Sequence, residues 1–305
     1  MKKLITTLGS LDINETGMIL PHEHVFTDLR NWREEGYAKA DIYGVTALMG
    51  PELEKAKSRG ISVIIESTPV GVGRRVDIVK MVSGAADFPI AVPTGVYREP
   101  WMPDWVKNSG IDELGRWMHK ELNDQIEETG IQAGWIKLSA GDEGMTKNEA
   151  RILTAAAEAG KHTNAVIGSH TIKGSVVRAQ LDLIEKGSYP ADRFIWIHAQ
   201  AEPDFDLHVE MAKRGAWIEY DSIGSDEQDG ICLENILRLL DKGHEDQILI
   251  SQDRGWYDPA KPKGGIPMPY TYICDVFLPK LRNAGAGEDI IEKITKVNPF
   301  NAFSR

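Results

Sequence analysis

Cysteine is almost absent from this sequence. Cys232 and Cys274 are the only two in 305 residues, and no Cys-x-x-Cys or Cys/His spacing surrounds them, which argues against a disulfide framework and fits a reducing compartment. Positive charge is in deficit as well: 35 Lys and Arg stand against 46 Asp and Glu, a net charge of −11. Nucleic acid and anionic lipid therefore drop out as general partners, and a small-molecule substrate is expected instead. No apolar run approaches the ~18 to 20 residues that cross a bilayer. The start Met1-Lys2-Lys3-Leu4-Ile5 has the charge of a signal peptide without its apolar stretch, because Gly9, Ser10, Asp12, Asn14 and Glu15 follow at once. The cytoplasm is the expected location. A dinucleotide-type phosphate loop is missing too, since Gly71-Val72-Gly73 has no third glycine at the required spacing.

What is present is a repeating alternation. Hydrophobic residues make up 42% of the chain and charged residues 27%, near the averages of folded globular proteins. Eight short apolar runs, bounded by Gly, Pro or polar residues, cover residues 17–21, 61–67, 90–96, 135–138, 165–168, 194–197, 217–220 and 248–251. Helical periodicity fills the intervals, at 53–59, 76–83, 112–128, 146–161, 174–186, 205–213 and 233–240, with further helices at 270–280 and 288–296. Continuous rather than alternating apolar strands imply burial on both faces, the mark of a parallel sheet covered by helices. Eight strand–helix units close into an α/β (β/α)8 TIM barrel, a single domain over residues 1–305. A doubly wound open sheet is the competing architecture.

Such a barrel gathers its chemistry at the C-terminal ends of the strands. The first run ends in Pro21-His22-Glu23-His24, where strand alternation turns His22 and His24 to the same side, a natural two-point metal clip. Lys137 lies on the fourth run, His170 follows the fifth, His198 the sixth, and Asp253 the eighth. His119, His162, His208 and His244 fall within or beside helices and are expected to be ordinary hydrogen-bonding histidines. Lys137 poses a separate problem, because an ammonium has no lone pair and is repelled by divalent cations. Either it stays a cation that binds substrate, or its amine takes up carbon dioxide to become a carbamate with two oxygens that bridge metals. Charge balance favours the carbamate, since four imidazoles and one aspartate leave two divalent ions under-neutralised.

These strand-end residues, in this order and spacing, resemble the phosphotriesterase family of the amidohydrolase superfamily, and the resemblance spans nearly the whole chain. It implies a binuclear centre in which His22, His24 and Asp253 hold the more buried metal and His170 and His198 the more exposed one. Carboxylated Lys137 and a hydroxide would bridge them. Zinc is the first expectation for the ions, with manganese, cobalt or iron as alternatives. A homodimer is expected from the same analogy. Asp253, ligand and carboxylate at once, would pass a proton from the attacking water to the leaving group.

The loop after the third run, Thr94-Gly95-Val96-Tyr97-Arg98-Glu99-Pro100-Trp101, places Tyr97 where the lactonase branch of that family carries a similar tyrosine. A catalytic or substrate-positioning role for Tyr97 and hydrolysis of a lactone follow as expectations. No arginine stands in Tyr220-Asp221-Ser222-Ile223-Gly224-Ser225, where acyl-homoserine lactonases usually have one. Arg98, Arg254, Trp256 and Tyr257, with the pair Arg74-Arg75, are candidates for a local anion site, which suggests a polar or sugar-acid lactone. The alternatives are a phosphotriesterase, another ester or amide hydrolase, a mononuclear deaminase-like enzyme, and a non-catalytic binding protein on the same barrel.

Overall fold

In the computed structural model, which describes residues 2–305, eight parallel strands alternate with helices in chain order. They are β1 (Met18–Phe26), β2 (Ile61–Glu66), β3 in two pieces (Ile90–Ala91 and Pro93–Thr94), β4 (Trp135–Ser139), β5 (Ile167–His170), β6 (Phe194–Ile197), β7 (Trp217–Tyr220) and β8 (Ile248–Ile250). Each pairs in parallel with the next. The ring closes beyond β8, where Asp253 N–H donates to the His22 carbonyl at 3.1 Å and His24 N–H donates to the Arg254 carbonyl at 2.8 Å. A short strand at Gly255–Tyr257 continues that pairing along β1. Gly255 has φ +97°, and a Cβ there would collide with the His24 carbonyl, so only glycine lets the two backbones approach so closely. The expected (β/α)8 barrel is what forms.

Seven helices return the chain between strands: α1 (Ile42–Ser58), α2 (Val76–Ala86), α3 (Ile111–Asn123), α4 (Lys147–Thr163), α5 (Gly174–Lys186), α6 (Phe205–Lys213) and α7 (Asp226–Asp241). A π-helical turn at Ile273–Phe277 leads into α8 (Leu278–Asn283). The sequence pattern places the first helix at 53–59. It begins instead at Ile42, capped by Asp41, and carries Pro51 inside it. Val45, Met49, Leu53 and Ala56 form one buried stripe of this helix, and packing that stripe on the barrel outweighs the ~3 kcal/mol penalty of an internal proline. The pattern also misses a small antiparallel hairpin, Leu4–Thr6 with Gly9–Leu11.

Side chains inside the barrel include Ile19, Val63, Trp135, Ile195 and Leu249, closed from below by Leu4, Phe300 and Phe303. Trp135 meets Phe303 edge to face at 5.2 Å. This packed floor leaves the upper ends of the strands for polar groups. The pairing of β1 with β2 shifts register between Leu20 and Glu23. That irregularity changes the parity of β1, so the odd-numbered Ile19 joins the apolar floor while the even-numbered His22 and His24 face inward above it. Among the described residues no helix is long and apolar enough to cross a membrane, and Cys232 and Cys274 are both free thiols.

Candidate metal centre

His22 and His24 lie within β1 rather than after it, and His170 is the last residue of β5, so both expected boundaries fell short of the site. His198 follows β6 and Asp253 follows β8. Both hold left-handed backbone, at φ +67° and +52°, a conformation that costs a non-glycine residue free energy and recurs at functional sites. Ring centroids separate His22 from His24 by 5.4 Å, His22 from His198 by 5.1 Å, and His170 from His198 by 4.3 Å. His22, His198 and Asp253 each offer one ligand atom within 4.8 Å of the others. Asp253 Oδ1 lies 2.9 Å from His24 Nε2 and 3.7 Å from His22 Nε2.

Acceptors beneath the site set the tautomers. His22 Nδ1 is 2.8 Å from Glu219 Oε1, His198 Nδ1 is 2.7 Å from Asp221 Oδ1, and His24 Nδ1 is 2.7 Å from Thr68 Oγ1. An Nδ1–H that donates downward leaves the Nε2 lone pair directed into the site, the arrangement that orients imidazoles on metals. Asp253 Oδ1 is buried without a hydrogen-bond donor, although His24 Nε2 is so near. Either a proton on His24 Nε2 or a metal ion has to lie between the two atoms: the protonated imidazole turns an N–H to the carboxylate, and a bound cation would face the lone pairs of both. Burial opposes charge on His24, yet Asp253 and Glu66 lift its pKa to about 9. For His22, burial and the Lys137 charge lower the pKa to about 3.

Lys137 is 2% exposed, and among the described residues it forms no salt bridge. Burial lowers its pKa to about 8, against the pull of Glu219, Asp253 and Asp221. Such an amine is neutral often enough to take up carbon dioxide. Imidazole, carboxylate and an amine that can be carboxylated are together the donor set of a two-metal site. The residues present fit the metals that the sequence implies.

Tyr97 lies over His170, its hydroxyl 3.2 and 3.3 Å from the two ring nitrogens. Burial pushes its pKa up to about 12, so it remains a phenol. Trp256 meets His24 edge to face at 5.1 Å, and its indole Nε1 is buried without a partner. Tyr257 instead stacks on Phe26 and is only 9% exposed, which makes it a packing residue. The expected cluster of arginines is dispersed, because each guanidinium already has its own acceptor. Arg98 donates to Asp142 and the Ala140 carbonyl, Arg254 to the Gly224 carbonyl, Arg74 to Glu121 and Arg75 to Asp77. His208, as expected, is a core residue bonded to Tyr220 and the Glu202 carbonyl.

A cavity of about 820 Å³ opens beside His170, His198 and Asp253, and one face of α7 forms part of its wall. Sequence reasoning missed Glu219, Asp221, Glu66 and Thr68. The signal was available for two of them: Glu219-x-Asp221 repeats at the end of β7 the spacing that singled out His22 and His24. Glu23 was missed too. It faces away from both histidines, accepts from Ser251 and the Arg254 N–H, and so ties β1 to the end of β8.

Comparison with known proteins agrees with this geometry. The sequence profile of the Phosphotriesterase family matches residues 2–303. A phosphotriesterase homology protein of Mycobacterium tuberculosis is 27% identical over the whole chain and 98% of its own length. An aryldialkylphosphatase of Saccharolobus solfataricus is 28% identical over 97% of each chain. Among solved structures, a mutant of a PTE-like lactonase from Deinococcus radiodurans superposes with a TM-score of 0.89 at 28% identity, covering 98% of this chain and 99% of that one. The chain belongs to the phosphotriesterase family, a family of binuclear metal-dependent hydrolases.

Proposed function

We propose that this hydrolase opens the ring of a polar lactone, a sugar-acid lactone being the class the sequence suggests, and that the ester is cleaved over two divalent ions. The observation that carries the metal reading is the convergence of His22, His24 and His198 on Asp253 beside a buried Lys137 that has no salt-bridge partner among the described residues. His22, His24 and Asp253 would hold one ion and His170 and His198 the other, with carboxylated Lys137 between them and zinc the preferred metal. When bound, the ions supply Lewis-acid polarisation of the ester carbonyl and a water acidic enough to attack near neutral pH.

The chain's own groups do the rest. Asp221, Glu219 and Thr68 fix which imidazole nitrogen carries a proton. Asp253 takes a proton at Oδ1 and returns it to the leaving oxygen, a role that its place among the converging imidazoles at the mouth of the cavity supports. The Tyr97 hydroxyl, beside His170, orients the lactone carbonyl or ring oxygen. Support for a lactone comes from Tyr97 and from similarity to a PTE-like lactonase, and similarity to an aryldialkylphosphatase favours organophosphate triesters as the second reading. The test is a panel of lactones, paraoxon and amides assayed on protein reconstituted with zinc, manganese or cobalt plus bicarbonate. Highest kcat/KM on a lactone is expected, and turnover of paraoxon or amides without lactones defeats the reading.

A further inference from the structure

The inner face of α7 is polar where a pocket for an alkyl chain needs it to be apolar. Gln228, Ile231, Asn235 and Arg238 are spaced by three, four and three residues, so they share one face of the helix. All four line the cavity that also contains His170, His198 and Asp253. Asn235 is only 9% exposed, and its amide has no hydrogen-bond partner among the described residues. Ser222 donates to Gln228 Oε1 at 2.8 Å, which leaves the Gln228 amide N–H groups unused. Arg238 lies 3.8 Å over the Phe205 ring and gives one guanidinium nitrogen to Glu234 at 3.4 Å. Its other donors remain available.

The wall is also fixed in place. Asp229, on the opposite side of α7, accepts from Gly224 N–H, the Tyr272 hydroxyl and Lys280 Nζ. Arg254 ties the preceding loop to the loop after β8 through the Gly224 carbonyl. Donors and acceptors held in advance favour a ligand that satisfies them and penalise one that only desolvates them.

From this we infer that Gln228, Asn235 and Arg238, with Glu234 beside them, form a hydroxyl-reading wall, and that the substrate is a neutral polyhydroxylated lactone rather than a lactone with an alkyl chain. The inference rests on the lactone-hydrolase reading and names the residues that set its specificity. Away from the proposed metal ligands the wall carries Glu202 and Glu234 against Arg238 alone, which gives an anionic group on the substrate's distal end no net positive partner there. Ile172 and Ile231 supply apolar surface for the C–H face of a sugar ring.

The experiment compares glucono-δ-lactone with δ-valerolactone, which share a six-membered ring and differ in hydroxyls, on the metal-loaded enzyme after correction for spontaneous opening. We expect kcat/KM to favour glucono-δ-lactone by at least about tenfold, and Asn235→Leu to lower that ratio by about tenfold, mainly through KM. Arg238→Met, at a partly exposed position, should act in the same direction and guards against misfolding of the first variant. A ratio near one in the wild type, or variants that lower both substrates equally, would overturn the wall. If neither ring opens, calorimetric titration with gluconate and with valerate, two monoanions, still decides. Tighter binding of gluconate that Asn235→Leu removes keeps the wall while the lactone reading fails, and equal binding of the two defeats it.

Discussion

Asp221 grips His198 at two points: Oδ1 accepts from the ring Nδ1 at 2.7 Å, and Oδ2 accepts the His198 backbone N–H at 3.1 Å. The same carboxylate lies 3.3 Å from His22 Nδ1 and is itself held by the Gln200 amide. One buried aspartate thus orients a ligand from each half of the proposed metal pair. Asp221→Asn keeps the shape but sets an amide N–H2 against at least one imidazole N–H. We expect metal affinity to fall by about 10- to 100-fold with far-UV circular dichroism unchanged, measured by competition with a chromophoric chelator.

Lys137 should destabilise the metal-free protein. Its pKa falls from 10.5 unfolded to about 8 folded, so the unfolded chain binds more protons between those values and stability rises with pH across that window. Below pH 8 the penalty is complete, on the order of 3 kcal/mol. Lys137→Met should therefore raise the melting temperature of the metal-free protein at pH 7 and lose that advantage above about pH 10.5. Bound metal per chain should drop in the same variant. Equal pH dependence of wild type and variant would refute the account.

Tyr97 should separate the two proposed substrate classes. Its ring packs edge to face on Trp101 at 5.6 Å and on His170 at 5.2 Å, contacts that Tyr97→Phe retains, so the variant removes only the hydroxyl. Loss of about tenfold in kcat/KM on lactones, with a smaller loss on paraoxon, is the expected outcome. Steady-state kinetics on both substrates checks it.

Most of the barrel was legible because its strands are buried on both faces, and a continuous apolar run announces itself without any partner. The candidate ligands were legible for a related reason, that they fall at strand ends in chain order. The residues beneath them were not. Glu219 sits inside an apolar run and resembles a break in it, and Asp221 resembles a loop carboxylate, until β7 is placed next to His22 and His198. The arginines failed differently. Their partners, Glu121 on α3 for Arg74 and Asp142 after β4 for Arg98, come from distant segments, so loop position alone predicted a basic pocket where the structure has separate ion pairs.

Gly95 tests how tightly β3 must approach β4. Its φ is +108°, and a Cβ would run into the backbone of Lys137, the residue on which the proposed centre pivots. Gly95→Ala should cost more than about 2 kcal/mol through strain and displacement together, and activity should fall further than stability alone explains. Denaturant midpoint and metal content, measured on the same preparation, separate the two effects.

Metal uptake should depend on pH in two stages, because His24 and Lys137 carry protons in the metal-free protein while His22 and His170 do not. His24 is held near 9 by Asp253 and Glu66 despite burial, and Lys137 near 8. His22, lowered to about 3, and His170, lowered by burial and by His198, are neutral throughout. At a fixed bicarbonate concentration, which carboxylates the neutral amine with loss of water and no proton, binding between pH 8 and 9 displaces one ligand proton, from His24. Below pH 8 it displaces two, since a protonated lysine cannot be carboxylated. Apparent affinity should therefore rise by about tenfold or more per pH unit between 8 and 9, the excess coming from any proton lost by bound water, and more steeply below 8. Bicarbonate should increase affinity only in proteins that retain Lys137. A slope that stays flat from pH 6 to 9 would mean that neither group titrates with the metal, and would remove both from the ligand set.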